Sequence, residues 1–260
     1  MGHVHLGVLP TTRRWKDVVE ALTTGASDEV VVAASARAAE RDMLSATDSP
    51  VFVEAVRLLL SIPYAARAED FGAALRTLDL SVGSKPELLD LTMAVDERLE
   101  TVRLSAGGTN DLGVLASRSL VTSLSEMIGD QLPGLFEATP DDVQAAARKL
   151  SWSTGISELT RSFYSRLVTQ CLSYWLDRTL SQHVGREARF SDAAARSAFD
   201  VAVSSYSREA TRIIQEFSGG WYGKALHDKG GFSSRDAAVF GAVALKKIVQ
   251  ELRARRDSDG

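Results

Sequence analysis

The stretch from Ser191 to Phe217 carries apolar side chains at Phe199, Val203, Tyr206, Ala210, Ile213 and Phe217. Their 4-3-4-3-4 spacing sets all of them along one stripe of a helix. Asp200, Ser204, Ser207, Arg208 and Arg212 fall mostly away from that stripe, so the helix is amphipathic and must be covered on one side. The sequence offers two flanking partners: an apolar-rich stretch from Ser157 to Val184, and another from Ser233 to about Arg256. The expectation is a core of long helices with the Ser191–Phe217 segment at its centre. On that register Ile213→Asp unfolds the protein and Arg212→Asp is tolerated.

A chain of 260 residues buries a sizeable core without metals or disulfides. Its apolar fraction of 45% and charged fraction of 25% are those of a folded globular protein, which argues against wholesale disorder. A net charge of −4 gives no general attraction for nucleic acid, so none is indicated as a partner. Cys171 is the single cysteine, and its apolar helical context reads as a small buried hydrophobe. Pro10, Arg13, Arg14 and Lys16 interrupt the start where a signal peptide needs an apolar run, and no segment approaches the roughly 18 apolar residues of a membrane span. The protein is expected in the cytoplasm. Only seven of the 30 basic residues are Lys, and Ala is abundant, a usage that fits a high-GC bacterial genome.

Residues 3–9 alternate polar and apolar and form the one stretch with a strand-like period. They are read as a short extended arm, either laid on the helices or pairing by its edge with another chain. His3 and His5 share a face there, but zinc sites need three or four protein ligands, and no metal is expected.

Helix signals follow in order. Thr11 or Thr12 caps a helix to about Thr24, Ser27-Asp28 begins a second, and Ser49-Pro50 begins a third that Pro63 interrupts. Ser84 and Glu87 have the spacing of a capping box. Residues 1–104 therefore form a short-helix half. The Gly-rich stretch 105–110 reads as a linker, and residues 111–260 as a bundle of three to four longer helices. Within it, Thr139-Pro140-Asp141-Asp142 and Ser233-Ser234-Arg235-Asp236 are strong helix starts. The fold class is all-α.

Candidate chemistry is sparse. Gly219-Gly220-Trp221-Tyr222-Gly223-Lys224 has glycines beside a lysine, but Ala225 stands where a phosphate loop needs Ser or Thr, and a helix precedes it. The glycines read instead as stops: Gly219-Gly220 ends the central helix, and Gly230-Gly231 clears the way for the last one. Trp221 and Tyr222, beside Lys224 in the resulting connection, either tuck onto the core or stand out as a partner-binding patch. His227-Asp228 is similar to the His-Asp pair of helical metal-dependent phosphohydrolases, but the second His and distal Asp have no counterpart.

Arg178-Thr179-Leu180-Ser181-Gln182-His183 resembles the Arg-to-His pattern of the all-helical HEPN ribonucleases. The resemblance covers six residues and implies an RNA-cleaving site shared across a dimer, with Arg178 orienting phosphate and His183 near the 2′-hydroxyl or leaving group. Read without it, Arg178 is a surface arginine and His183 a histidine favoured by a helix C-terminus. No cofactor is implied.

The expected function is that of a non-catalytic helical subunit or adaptor of a bacterial complex, acting on another protein or on a second copy. A HEPN-like ribonuclease and a helical nucleic-acid-associated protein are the alternatives. Circular dichroism should give a helix-dominated spectrum, and strands in more than about a fifth of residues would overturn the fold class.

Overall fold

The computed structural model describes residues 12–107, 111–134, 137–180, 183, 185 and 189–258. Among them are eleven α-helices: α1 (Arg13–Thr23), α2 (Asp28–Leu44), α3 (Pro50–Ala65), α4 (Phe71–Arg76), α5 (Leu88–Ser105), α6 (Asp111–Gly129), α7 (Pro140–Lys149), α8 (Ser153–Leu180), α9 (Ala193–Ala210), α10 (Arg212–Lys229) and α11 (Ser234–Ser258). The fold is all-α. The arm over residues 3–9 lies outside the described residues, as do residues 108–110 of the linker stretch. No described helix is long and apolar enough to cross a membrane.

The helix starts follow their side chains. The Thr12 hydroxyl accepts from the Trp15 amide at 3.3 Å, and the Ser49 hydroxyl accepts from the Phe52 amide at 3.4 Å with Pro50 in the first helical turn. Thr139 with Asp142 and Ser233 with Asp236 form reciprocal boxes at the starts of α7 and α11. At α5 the start is later than the Ser84-Glu87 spacing predicts. Glu87 is the cap residue, and its backbone N–H donates to Asp90 at 2.9 Å, which makes Asp90 the reciprocal partner. Pro63 does not break α3, because it sits in the final turn, two residues before the helix ends at Ala65.

The central helix is α3, not the Ser191–Phe217 segment. Twelve of its sixteen residues are buried, and it packs on α5, α6, α7, α8 and α11. Both halves therefore share one continuous core. The second organiser is α8, whose 28 residues span roughly 42 Å at 1.5 Å per residue. It packs on α2, α6, α9 and α10 as well as on α3, and buries Phe163, Tyr164, Leu167, Val168 and Cys171. Burial pushes the Cys171 thiol up to about 12.

The Ser191–Phe217 stripe divides in two. α9 ends at Ala210, α10 begins at Arg212, and the buried line runs Phe199, Val203, Ser207, Ala210, Ile214, Ser218. Tyr206, Ile213 and Phe217 lie one position off it and are only partly buried. Gly219 and Gly220 do not end this segment, and α10 continues to Lys229. A Cβ on Gly219 would strike the Ser153 hydroxyl and come within 2.9 Å of the Ser153 carbonyl, so the glycine admits close approach of α8 and α10. Beside it the buried Thr160 and Ser218 hydroxyls bond each other at 2.9 Å. The actual stop is Gly230, at a φ of 68°.

One carboxylate is buried at the heart of this arrangement. Glu54 on α3 is held by Arg57 at 2.7 Å and by Arg98 of α5 at 2.7 Å; Arg98 also reaches Asp79 at 3.1 Å. Burial pushes its carboxyl up, but the hydrogen bonds from Arg57 and Arg98 outweigh that and hold it below the ordinary value.

Two expectations follow. Ile214→Asp buries an unpaired charge and should leave the protein unfolded or insoluble, whereas Ile213→Asp should lose far less in urea unfolding; equal losses would put the register elsewhere. Because the folded pKa of Glu54 is depressed, its contribution is present above about pH 4.3 and is lost as pH falls towards the folded value. Glu54→Ala should cost about 3–5 kcal/mol at neutral pH and flatten the stability–pH curve over that acid range.

Candidate functional site

A groove of about 990 Å³ runs between α5, α6 and α8. Each helix contributes residues at three- and four-residue intervals, hence one face: Thr92, Met93 and Asp96 from α5; Leu115, Arg118, Val121 and Thr122 from α6; Gln170, Ser173, Tyr174, Asp177 and Arg178 from α8. Its floor is apolar, with Leu115 buried and Val121 partly so. Met93 at its edge is 55% exposed, and Leu89, one turn earlier on the same face of α5, is 66% exposed.

Charged groups of both signs ring that floor. The Arg178 guanidinium donates to the Tyr174 hydroxyl at 2.8 Å and lies 4.3 Å from the centre of that ring, an i, i+4 pair along α8. Burial and a hydrogen bond to the Asp111 carboxylate push the Tyr174 hydroxyl up, against the opposing Arg178 charge. Asp177 is pushed up by burial in spite of Arg196, which bonds it at 2.7 Å and also bonds Asp200. Asp96 accepts from the Ser117 hydroxyl at 3.3 Å. Arg118 is exposed at the rim. Such a surface can hold an apolar segment and fix its direction through charges at its edges; the tyrosine, kept protonated, serves as a hydrogen-bonding group rather than a base.

The structure separates the residues that the sequence singles out. Arg178 lines the groove. His183 lies in the connection beyond α8, and its carbonyl accepts from the Phe190 amide at 2.9 Å; it is not among the residues lining the groove. Trp221 and Tyr222 are not in a loop but in the third turn of α10. The Trp221 ring packs 4.7 Å from Phe240, and the Tyr222 ring stacks 4.9 Å from Phe232, with Tyr222 buried. The outward aromatic patch is thus absent at this position, because the glycines before it are helical and turn both rings onto α11 and the residues ahead of it. Lys224 alone of the three is exposed. His227 and Asp228 are exposed near the end of α10, and no group of three metal-ligating side chains occurs among the described residues.

Sequence reading missed the groove. Its available signal was Leu89 and Met93, an apolar i, i+4 pair on a helix whose buried stripe runs through Leu91, Val95 and Leu99. The chain matches no protein-family model, and neither a curated protein nor a solved structure matches it at a significant level.

Proposed function

We propose that this chain is a non-catalytic helical subunit or adaptor of a bacterial cytoplasmic complex, and that it seats an amphipathic helix of a partner protein in the α5–α6–α8 groove. One observation supports this most: Leu89 and Met93 are exposed side by side at the edge of an apolar floor ringed by Arg118, Arg178, Asp96 and Asp177. A helix presenting apolar anchors at i, i+3 or i+4, and i+7 suits such a floor, and a few buried anchors supply most of the binding energy at interfaces of this kind. Mixed charge at the edges suits a partner helix with both signs on its polar face.

The test is a photo-crosslinking residue at position 93, followed by sequencing of the captured peptide. The expected capture is one segment of one partner with a helical apolar period. Leu89→Glu with Met93→Glu should lower its yield at least about tenfold, and melting should shift by no more than a few degrees, since both side chains are exposed. Capture of a second copy of this chain, or undiminished yield in the double variant, would overturn the reading. So would RNA cleavage by the purified protein that disappears in Arg178→Ala and His183→Ala, which would establish the ribonuclease instead.

A further inference from the structure

A second groove, about 530 Å³, lies on another side of α8, between it and the α9–α10 junction. Its chemistry differs from that of the first. Three arginines converge on it: Arg161 and Arg166 from α8, and Arg208 from the last turn of α9. Arg161 is fixed in place, donating to the Gln215 side-chain carbonyl at 2.8 Å and to the Arg208 backbone carbonyl at 3.4 Å. Arg166 pairs with Glu126 of α6. The Arg208 side chain is exposed and makes no hydrogen bond or ion pair among the described residues. The Nε groups of Arg161 and Arg166 are buried and lack a hydrogen-bond partner among the described residues, although a buried donor without an acceptor is costly.

The rest of the lining, Glu158 aside, is the hydroxyls of Ser162, Ser165, Thr169 and Ser204 with the amides of Gln170 and Gln215. Among the described residues no aromatic ring lines it. Guanidinium groups match phosphate oxygens in geometry as well as charge. Hydroxyls and an amide match the hydroxyls of a polyol, and the missing ring removes the stacking platform that a nucleobase uses. In a chain of net charge −4 these three arginines are offset by Glu158 in the lining and by Glu126, which pairs with Arg166 from α6, leaving a local excess of positive charge.

We infer that the α8–α9–α10 groove binds a small phosphorylated polyol of sugar-phosphate size, with its phosphate on Arg161, Arg166 and Arg208 and its hydroxyls on the serine and threonine wall. This groove shares only Gln170 with the helix-binding one, and the inference does not rest on that reading.

Isothermal titration of the full chain at fixed ionic strength tests it, with ribose 5-phosphate, ribose and inorganic phosphate as probes. Ribose 5-phosphate should bind with a Kd of about 1 mM or tighter, inorganic phosphate at least about tenfold more weakly, and ribose not detectably. Arg208→Gln, at an exposed side chain, should weaken ribose 5-phosphate at least about tenfold, and Glu158→Gln, which removes the opposing charge, should tighten it about two- to fivefold. The opposite signs of the two effects separate ligand contact from a general loss of structure, which circular dichroism melts of both variants would reveal. Absence of ribose 5-phosphate binding up to about 10 mM, equal affinity for inorganic phosphate, or unchanged affinity in both variants would each overturn the inference.

Discussion

A helix that is apolar on almost every face cannot rest on a surface; it has to be enclosed. α3 is such a helix, with Phe52, Ala55, Val56, Leu58, Leu59, Leu60 and Ile62 all without solvent exposure. Six of those are larger than alanine, and burying each is worth about 1.5–3 kcal/mol, so exposing any flank of α3 would remove a sizeable part of a typical domain's stability. The rest of the chain is arranged to prevent that. α5, α6, α7, α8 and α11 all pack on α3, α8 packs in turn on α6, and α2 packs on α11. Glu54 is the single charge admitted to α3's buried set, and only because Arg57 and Arg98 both bond it. Arg98 carries that requirement to α5 and on to Asp79, in the turn after α4, so the same ion cluster that makes α3 buriable also fixes the helix forming one wall of the first groove.

α8 solves a different problem. It is longer than any element beside it and touches helices on several sides, yet it carries many polar residues. Where it meets α10 the approach is made by small groups, Ser153, Ser157 and Thr160 against Ser218 and Gly219. Contact that close leaves no room for long side chains along that line. The arginines, glutamine and tyrosine of α8 are displaced to the flanking lines instead, where the neighbouring helices diverge. Both grooves are bounded by those displaced side chains, and Gln170 lines both.

The local signals of helix ends were the most legible part of the sequence, because a cap is an interaction between residues three apart and needs no knowledge of the fold. Thr12, Ser49, Thr139 and Ser233 all act as their spacing implies. The buried stripe of α9 and α10 was legible only to within one residue. Its true line includes Ser207, Thr211 and Ser218, which hydropathy counts as polar; each returns its hydroxyl to a carbonyl one turn back, so each enters the core with its hydrogen bond already made. Tyr206, by contrast, reads as core but sits off the line and sends its hydroxyl to the Leu252 carbonyl at 3.3 Å. Paired glycines misled for a related reason. Gly219-Gly220 has the composition of a helix stop, and only the position of Ser153, more than sixty residues earlier, shows that the missing side chain serves packing rather than a turn.

Neither groove was legible, and the reason is physical. A binding surface on a helical protein is assembled from residues on separate helices, each holding a short face that looks like ordinary solvated polarity by itself. Arg161, Ser165 and Thr169 are unremarkable along α8 until Ser204 and Arg208 stand opposite them, and that juxtaposition depends on the chain breaking at Thr211 between α9 and α10. The break in turn is local: Thr211 caps the end of α9 with its backbone N–H on the Ser207 carbonyl and its hydroxyl on the Ser207 and Arg208 carbonyls, and Arg161 reaches the Arg208 carbonyl from α8. Thr211 is fully buried at that junction, so the break that puts Ser204 and Arg208 opposite α8 is anchored in the core rather than left to the surface.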